Sequence, residues 1–554
     1  MLLNVFDMSG IVGLVNDADD LEYQLAAMLR RLKHRGGEER GFWVSSFVES
    51  RLGLAHCGRV VSELEDDVRQ PYVDEQLQLV VAMDGDIYNY GELREELRYH
   101  HQFVTNSSVE VVAKAYRQWG EDFLPRLEGV FAVVIYDRRA DMLLLARDRF
   151  GVKPLYYAIN RGELYFSSEV RPLFATGLRK HVSLERWAGY MLYGTYGMAY
   201  NTFWEGVNQL PAGFLMRYNG YSLSEKCWYS LRDEVATLVS QYQVRELQEL
   251  LAMELQQSVA RSLNDVSSCG LRIAGRIESQ VLHCIALQSR QRWKIHTFTG
   301  DIDSIGHQPL ASPIWVTASH AVDELQRMQH WAEEPFDGSE TVVRTALFRY
   351  ARRCGVRVVC SGMGLDALWQ DVWDDRELSC NSLVPHRLYS PILVERAVKP
   401  RYGGWSGGEA DNMRYCELRY ERIPHILRVF DRSAADAGVC VRMPFLGGKL
   451  VALSFALPAV SGLSRRMLFE GYVEQHHHCA IGCGESFSLL PMWRSGDMRE
   501  WVADALAVLA RSEVRDWFDV KELFRLREAF CVNLPFDVVL LWKCLSLYSQ
   551  LGEE

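Results

Sequence analysis

The sequence has no apolar run approaching the roughly 18 residues that a membrane helix needs, no fixed-period repeat and no low-complexity tract. Membrane-spanning, solenoid and disordered readings therefore drop out. Positive charge is in deficit: the formal net charge of -11 argues against a broad nucleic-acid footprint. The 13 cysteines follow no framework spacing and are odd in number, which reads as reduced thiols with no disulfide. The opening stretch, Met1 to Met8, is too short for a signal peptide and lacks its charged start. These absences together lead us to expect a soluble cytoplasmic protein with neither nucleic acid nor membrane as partner.

What is present is globular in character: 554 residues, 48% hydrophobic and 24% charged, enough for two or three cores. From Ser9 to about Tyr229 short β-branched and aromatic runs alternate with turn residues, as in Leu79 to Met83, Val130 to Tyr136, Met142 to Ala146 and Leu164 to Phe166. Helical spacing interrupts them at Leu21 to Lys33 and at Val109 to Trp119. The alternation lapses over Ser230 to Gln241, where we expect the halves to join, and an amphipathic helix follows with Val244, Leu247, Leu251, Leu255 and Val259 on one face. Beyond it, buried-strand runs (Gly270 to Ile273, Lys294 to Phe298, Val356 to Cys360) alternate with helical stretches such as Thr341 to Ala351. That order predicts a parallel α/β sheet. The expected division is 1–230 and 231–554.

Several motifs occur in one order. They are Met8-Ser9-Gly10-Ile11-Val12-Gly13, His34-Arg35-Gly36, Asp84-Gly85-Asp86-Ile87-Tyr88-Asn89, Leu127-Glu128-Gly129-Val130-Phe131-Ala132, Arg147 to Tyr156 (R-D-R-F-G-V-K-P-L-Y) and Phe166-Ser167-Ser168-Glu169. In the second half follow Ala274-Gly275-Arg276-Ile277-Glu278-Ser279-Gln280, Glu333-Glu334-Pro335-Phe336, Ser361-Gly362-Met363-Gly364-Leu365-Asp366-Ala367, Val429-Phe430-Asp431-Arg432 and Val441 to Leu446 (V-R-M-P-F-L). By this series the chain resembles the glutamine-dependent asparagine synthetases and their β-lactam synthetase and lasso-peptide cyclase relatives, over roughly Ser9 to Trp542. The resemblance implies an N-terminal-nucleophile type α/β/β/α sandwich, glutamine amidotransferase-like, followed by an ATP-pyrophosphatase type parallel α/β domain.

The same resemblance implies chemistry that the residues present do not supply. The family's catalytic cysteine falls on Ser9, and a hydroxyl is a poor nucleophile unless strongly activated. With Met1 as the start Ser9 has no free α-amine; a start at Met8 would expose one. The oxyanion-binding N-G-E has become Asp84-Gly85-Asp86, and losing one such donor costs roughly 10²- to 10³-fold in rate. The acid that holds the glutamine amine falls on Ser108, and the arginine that holds its carboxylate falls on Gly58, with Arg59 one place late.

In the second half the pyrophosphate loop S-G-G-L-D-S-S corresponds to Ala274 to Gln280. Gly275 and Ser279 survive, Arg276 takes the place of a glycine, and Glu278 that of an aspartate. Small residues let backbone N–H groups close around phosphate, so Arg276 either blocks that nest or adds a charged contact. Ser361, Gly362 and Asp366 keep the second acidic motif while both its glutamates are gone, which leaves Glu278 and Asp366 to hold Mg²⁺ beside ATP. The family's lysine falls on Arg466, which keeps the charge but cannot donate a proton. Cys440 and Gly447 fall where acids are expected.

Two functions follow as expectations. One is a glutaminase-inactive pseudoenzyme or partner subunit in a biosynthetic pathway, working with a protein partner or as a homo-oligomer. The other is an ATP-dependent amide-forming ligase or cyclase, which joins a small-molecule or peptide carboxylate to an amine other than glutamine-derived ammonia. The cluster His476-His477-His478-Cys479 with Cys483 is read as a polar loop ahead of a zinc site, and Cys57, Trp331 and Trp493 as core.

Overall fold

The computed structural model describes residues 8–36, 40–58, 62–66, 68–196, 200–272, 277–288, 293–301, 312–315, 318–336, 338–365, 368, 387–399, 402, 404–405, 408–465, 467–468, 495–532 and 537–551. Among the described residues twelve strands build the first half: β1 Gly10–Asn16, β2 Arg40–Phe47, β3 Ser50–Cys57, β4 Tyr72–Asp74, β5 Leu79–Ile87, β6 Gly129–Asp137, β7 Met142–Arg147, β8 Tyr156–Asn160, β9 Glu163–Ser167, β10 Asn208–Gln209, β11 Phe214–Tyr218 and β12 Leu223–Cys227. They form two six-stranded sheets, ordered β10-β8-β9-β1-β3-β2 and β12-β11-β7-β6-β5-β4.

The period-two pattern of the strands explains why the sheets face one another. Ile11 and Val15 of β1 join Val80 and Ala82 of β5 and Val134 of β6 in a core between the sheets. Their neighbours Val12 and Leu14 turn outward onto the helix Leu21–Arg31, through Leu21, Leu25, Met28 and Leu29. On the other side Leu79, Val81 and Met83 meet the helix Ser108–Trp119 through Val109, Val111 and Val112. The result is the α/β/β/α layering expected from the motifs.

The stretch Ser230 to Gln241 differs from its expected lapse in pattern: Leu231–Gln241 is a helix. Ser230 accepts from the Asp233 N–H as an N-cap, and Leu231, Val235 and Leu238 bury one side of it. The helix Val244–Leu263 follows, with Leu247, Leu251, Leu255 and Val259 buried as the spacing predicts. The second half carries β13 Ser268–Arg272, β14 Lys294–Asp301, β15 Ser312–Trp315, β16 Val358–Cys360 and β17 Cys440–Arg442. They run parallel in the order β15-β14-β13-β16-β17. Strand order reverses between β13 and β16, and in such open sheets ligands sit beyond the carboxyl ends of the strands at that reversal.

The halves share core. Met8, Val130, Phe150 and Val152 belong to the same buried cluster as Leu271, Val359, Phe445 and Leu450. Among the described residues no helix is long and apolar enough to cross a membrane. Trp331 is buried, as is Cys57, whose thiol donates to the Gly10 and Leu32 carbonyls. One cysteine corrects the expectation of reduced thiols throughout: Cys284 is disulfide-bonded.

Candidate active site

Ser9 immediately precedes β1, and Asp84 lies in β5 on the facing sheet, so the sandwich brings the two together across its open end. The Ser9 hydroxyl donates to Asp84 Oδ1 at 2.9 Å. Asp84 is fully buried; its Oδ2 accepts from Arg35 at 3.0 Å and from the Ser168 hydroxyl at 2.9 Å, and Lys153 Nζ lies 3.4 Å from Oδ1. Ser168 in turn accepts the Ile11 N–H at 3.0 Å. A carboxylate thus occupies the place where the resemblance calls for an amide donor, and the surrounding donors converge on it. Gly85 has φ +124°, and a Cβ there would lie 2.0 Å from the Val130 carbonyl oxygen, so only glycine fits.

The two ends of the implied substrate clamp are also filled. Gly58 has φ +117°, and a Cβ on it would lie 2.2 Å from the Met8 carbonyl oxygen and 2.6 Å from Ser9 Cα. Met8, 3% exposed, packs in the shared core, so the segment leading into Ser9 takes the space an arginine at 58 would need. Arg59 lies outside the described residues. At the other end the Ser108 N–H donates to Glu65 Oε2 at 2.6 Å. Burial, together with Asp86 and Asp265 nearby, pushes the Glu65 carboxyl up to about 7 against the pull of the Ser108 bonds.

A buried charge cluster, given no role by the motifs, joins this end of the sandwich to the second half. Arg35 donates Nε to the Ser9 carbonyl at 2.7 Å and Nη1 to Glu169 at 2.9 Å and Asp431 at 2.7 Å. Lys153 donates to the other Asp431 oxygen at 3.0 Å, and His34 Nε2 lies 2.8 Å from Glu169. Burial opposes each charge, yet His34 and Arg35 hold Glu169 at about 2, and Arg35 with Lys153 keeps Asp431 well below the ordinary carboxylate range. Glu333 accepts the Val170 and Arg171 N–H groups at 2.8 and 2.6 Å, capping a short helix of the first half from the second. Glu334 is held by Arg428, Arg432 and His425. Asp86 accepts from Cys440 at 3.5 Å and from Arg442 at 3.3 Å, so the residue standing for a lost acid at 440 bonds back to the first half.

In the second half the structure brings part of the nucleotide motifs together. Ser361 and Gly362 leave the end of β16, and Glu278 and Ser279 open the helix Ile277–Gln288 after β13. A Cβ on Gly362 would lie 2.8 Å from the Glu278 carbonyl oxygen and 3.1 Å from the Ser279 N, a close approach that needs glycine. The Ser361 N–H donates to the Arg442 carbonyl at 3.0 Å, and the Ser361 hydroxyl accepts the Met363 N–H at 3.2 Å. Glu278 and Ser279 are buried. Gly275, Arg276, Asp366 and Arg466 lie outside the described residues, as do His476 to Cys483 and Trp493. Among the described residues no group of three or more His, Cys, Asp or Glu is placed to hold a metal ion.

Residues 8–229 match the family model described as a glutamine amidotransferase domain, and residues 250–529 match the one described as asparagine synthase. The chain belongs to the asparagine synthase family. Among its relatives is the glutamine-hydrolysing asparagine synthetase 2 of Bacillus subtilis (strain 168), 27% identical over 65% of this chain and 51% of that protein. The chain therefore spans about half the length of that relative. A putative glutamine-hydrolysing asparagine synthetase 2 of Methanocaldococcus jannaschii is 24% identical over 76% of this chain and 94% of its own. A putative asparagine synthetase of Mycobacterium bovis is 26% identical, covering 92% of this chain and 90% of its own.

Proposed function

We propose that this chain does not hydrolyse glutamine and that it serves as an asparagine synthetase-like subunit supporting a partner protein, or a second copy of itself, in a cytoplasmic biosynthetic assembly. The observation that carries the reading is the Asp84 carboxylate, which takes the Ser9 hydroxyl at 2.9 Å and gathers Arg35, Lys153 and Ser168 around it. Acyl transfer from an amide needs donors aimed at the developing oxyanion. Here a negative charge faces that place and the donors are spent on it. In this reading residues 1–230 form a non-hydrolysing half and 231–554 a synthetase-like half.

A second reading has its own observation. Ser361 and Gly362 pack on the opening of the Glu278 helix at the reversal of the parallel sheet, the place where nucleotide phosphates bind in such folds. Gly275, Arg276 and Ser279 would then cradle pyrophosphate, Glu278 and Asp366 would hold Mg²⁺, and Arg466 would stabilise charge without moving a proton. ATP would supply activation of a carboxylate for attack by an amine that does not come from glutamine.

Titrating Mg-ATP into the purified chain separates the two, since a ligand of the folded state raises its melting temperature. The subunit reading expects no heat and no thermal shift at millimolar Mg-ATP, a result that removes the ligase reading. Pyrophosphate release that depends on a carboxylate and is abolished by Asp366→Ala would overturn the subunit reading.

A further inference from the structure

Among the described residues five of the six sheet edges are short or charged. β10, β4, β17 and β15 have two, three, three and four residues, and β12 carries Glu225 and the half-exposed Lys226. β2 is the exception. It has eight residues, pairs with β3 on one side and meets no described strand on the other. From Gly41 to Val48 the sequence, G-F-W-V-S-S-F-V, holds no charge. Proteins ordinarily blunt such an edge with a charge, a proline or a short strand, because its open row of N–H and C=O groups pairs with a strand that meets it.

The two residues Val48 and Glu49 turn β2 into β3, which makes Phe47 and Ser50 a hydrogen-bonded pair. Alternation then binds Gly41, Trp43 and Ser45 to β3 and aims the backbone N–H and C=O groups of Phe42, Val44 and Ser46 outward. Among the described residues the Tyr136 hydroxyl reaches this row, donating to the Ser46 carbonyl at 3.5 Å and leaving its second lone pair open. The hairpin is held in place. Val48 has φ +53°, an outlier for a β-branched residue. Its N–H donates to Asp141 Oδ2 at 3.1 Å, and a Cβ on Gly220 would lie 2.9 Å from its Cγ2. Trp43 packs inward on Tyr136, with ring centroids 5.6 Å apart, while Phe42 on the opposite face is 45% exposed.

We propose that β2 pairs antiparallel with β2 of a second copy of this chain about a twofold axis at Val44, joining two six-stranded sheets edge to edge. Bonds form only in registers that set outward residues opposite outward residues. The register centred on Val44 does so, with Val44 facing its own counterpart and Phe42 facing Ser46 of the other copy. Self-pairing requires that no charge lie near the axis, where it would meet itself, and the uncharged run satisfies that requirement. The ends are complementary: position 40, an arginine, comes beside the glutamate of position 49 in the other copy. The inference names the second copy in the subunit reading, on which it rests for its use; a monomeric chain would refute this interface and leave the Mg-ATP test as it stands.

Sedimentation velocity of the full chain over a concentration series, with amide exchange read residue by residue, tests it. The parent should dimerise as concentration rises. The amides of Phe42, Val44 and Ser46 should gain protection with it, while those of Trp43 and Ser45, already bonded to β3, stay unchanged. Phe42 and Ser46 are both exposed, so charges are tolerated there in the monomer. Phe42→Lys with Ser46→Lys sets two like-charged pairs across the axis and should weaken the dimer roughly tenfold. Phe42→Lys with Ser46→Glu sets two opposite pairs and should restore it. A parent that stays monomeric, protection without the alternation, or a second variant no tighter than the first would each overturn the proposal. Should either variant fail to fold, the exchange pattern of the parent decides.

Discussion

Replacing Arg35 by methionine should cost this protein most or all of its stability. Arg35 is fully buried and binds three carboxylates, Asp84, Glu169 and Asp431, besides the Ser9 carbonyl. Removing one partner of a single buried ion pair costs about 3–5 kcal/mol, because the other charge is left without water or counter-ion. Here three charges lose their shared cation, with Lys153 left beside Asp84 and Asp431 and His34 left beside Glu169. A natural protein has about 5–15 kcal/mol in hand. Urea unfolding of Arg35→Met should therefore show a collapsed midpoint or no cooperative transition. Adding Asp431→Leu, which removes one of the orphaned acids, should recover part of the loss, as expected for residues in one network. A midpoint equal to the parent's would show that the cluster is not formed.

Restoring the family's arginine at position 58 should be nearly as damaging. Gly58 adopts φ +117°, and even a methyl there would lie 2.2 Å from the Met8 carbonyl oxygen. A side-chain-bearing residue in such a sparsely populated region carries about 1–3 kcal/mol of backbone strain. Making room would also expel Met8, whose side chain is 3% exposed and whose burial is worth about 1.5–3 kcal/mol. Gly58→Arg should show a large fall in melting temperature and gain no affinity for glutamine. An unshifted melting temperature, or measurable glutamine binding, would place Met8 and Ser9 elsewhere.

The architecture was largely legible because its signals are local. β5 and β6 announce themselves by β-branched alternation, the helix Ser108–Trp119 by its spacing, and the motif order leads to the two-part family. The departures at Ser9, Asp84, Ser108 and Gly58 were legible residue by residue against that order. What they do in the folded chain was not. Arg35 and Asp431 stand 396 residues apart, and no periodicity links them. Arg35, Lys153 and Asp431 each lie inside a motif; Lys153, between Val152 and Pro154, and Asp431, after Val429 and Phe430, stand out as charges beside apolar residues, whereas Arg35 sits in a charged stretch that carries no such signal. Glu65 offered no signal at all, since its meeting with Ser108 depends on a loop path. The helix Leu231–Gln241 was hidden by its weak pattern, although Ser230 ahead of Asp233 is a cap that could have marked it.

The proposed loss of glutamine hydrolysis, where Ser9 hydrogen-bonds a buried acid, is tested most directly by incubating the pure chain with glutamine, following glutamate by mass spectrometry and recording the intact mass of the protein. The account expects glutamate to form no faster than in buffer and the protein mass to stay unchanged. Glutamate release that Ser9→Ala abolishes, or a glutamyl ester trapped on Ser9, would contradict it.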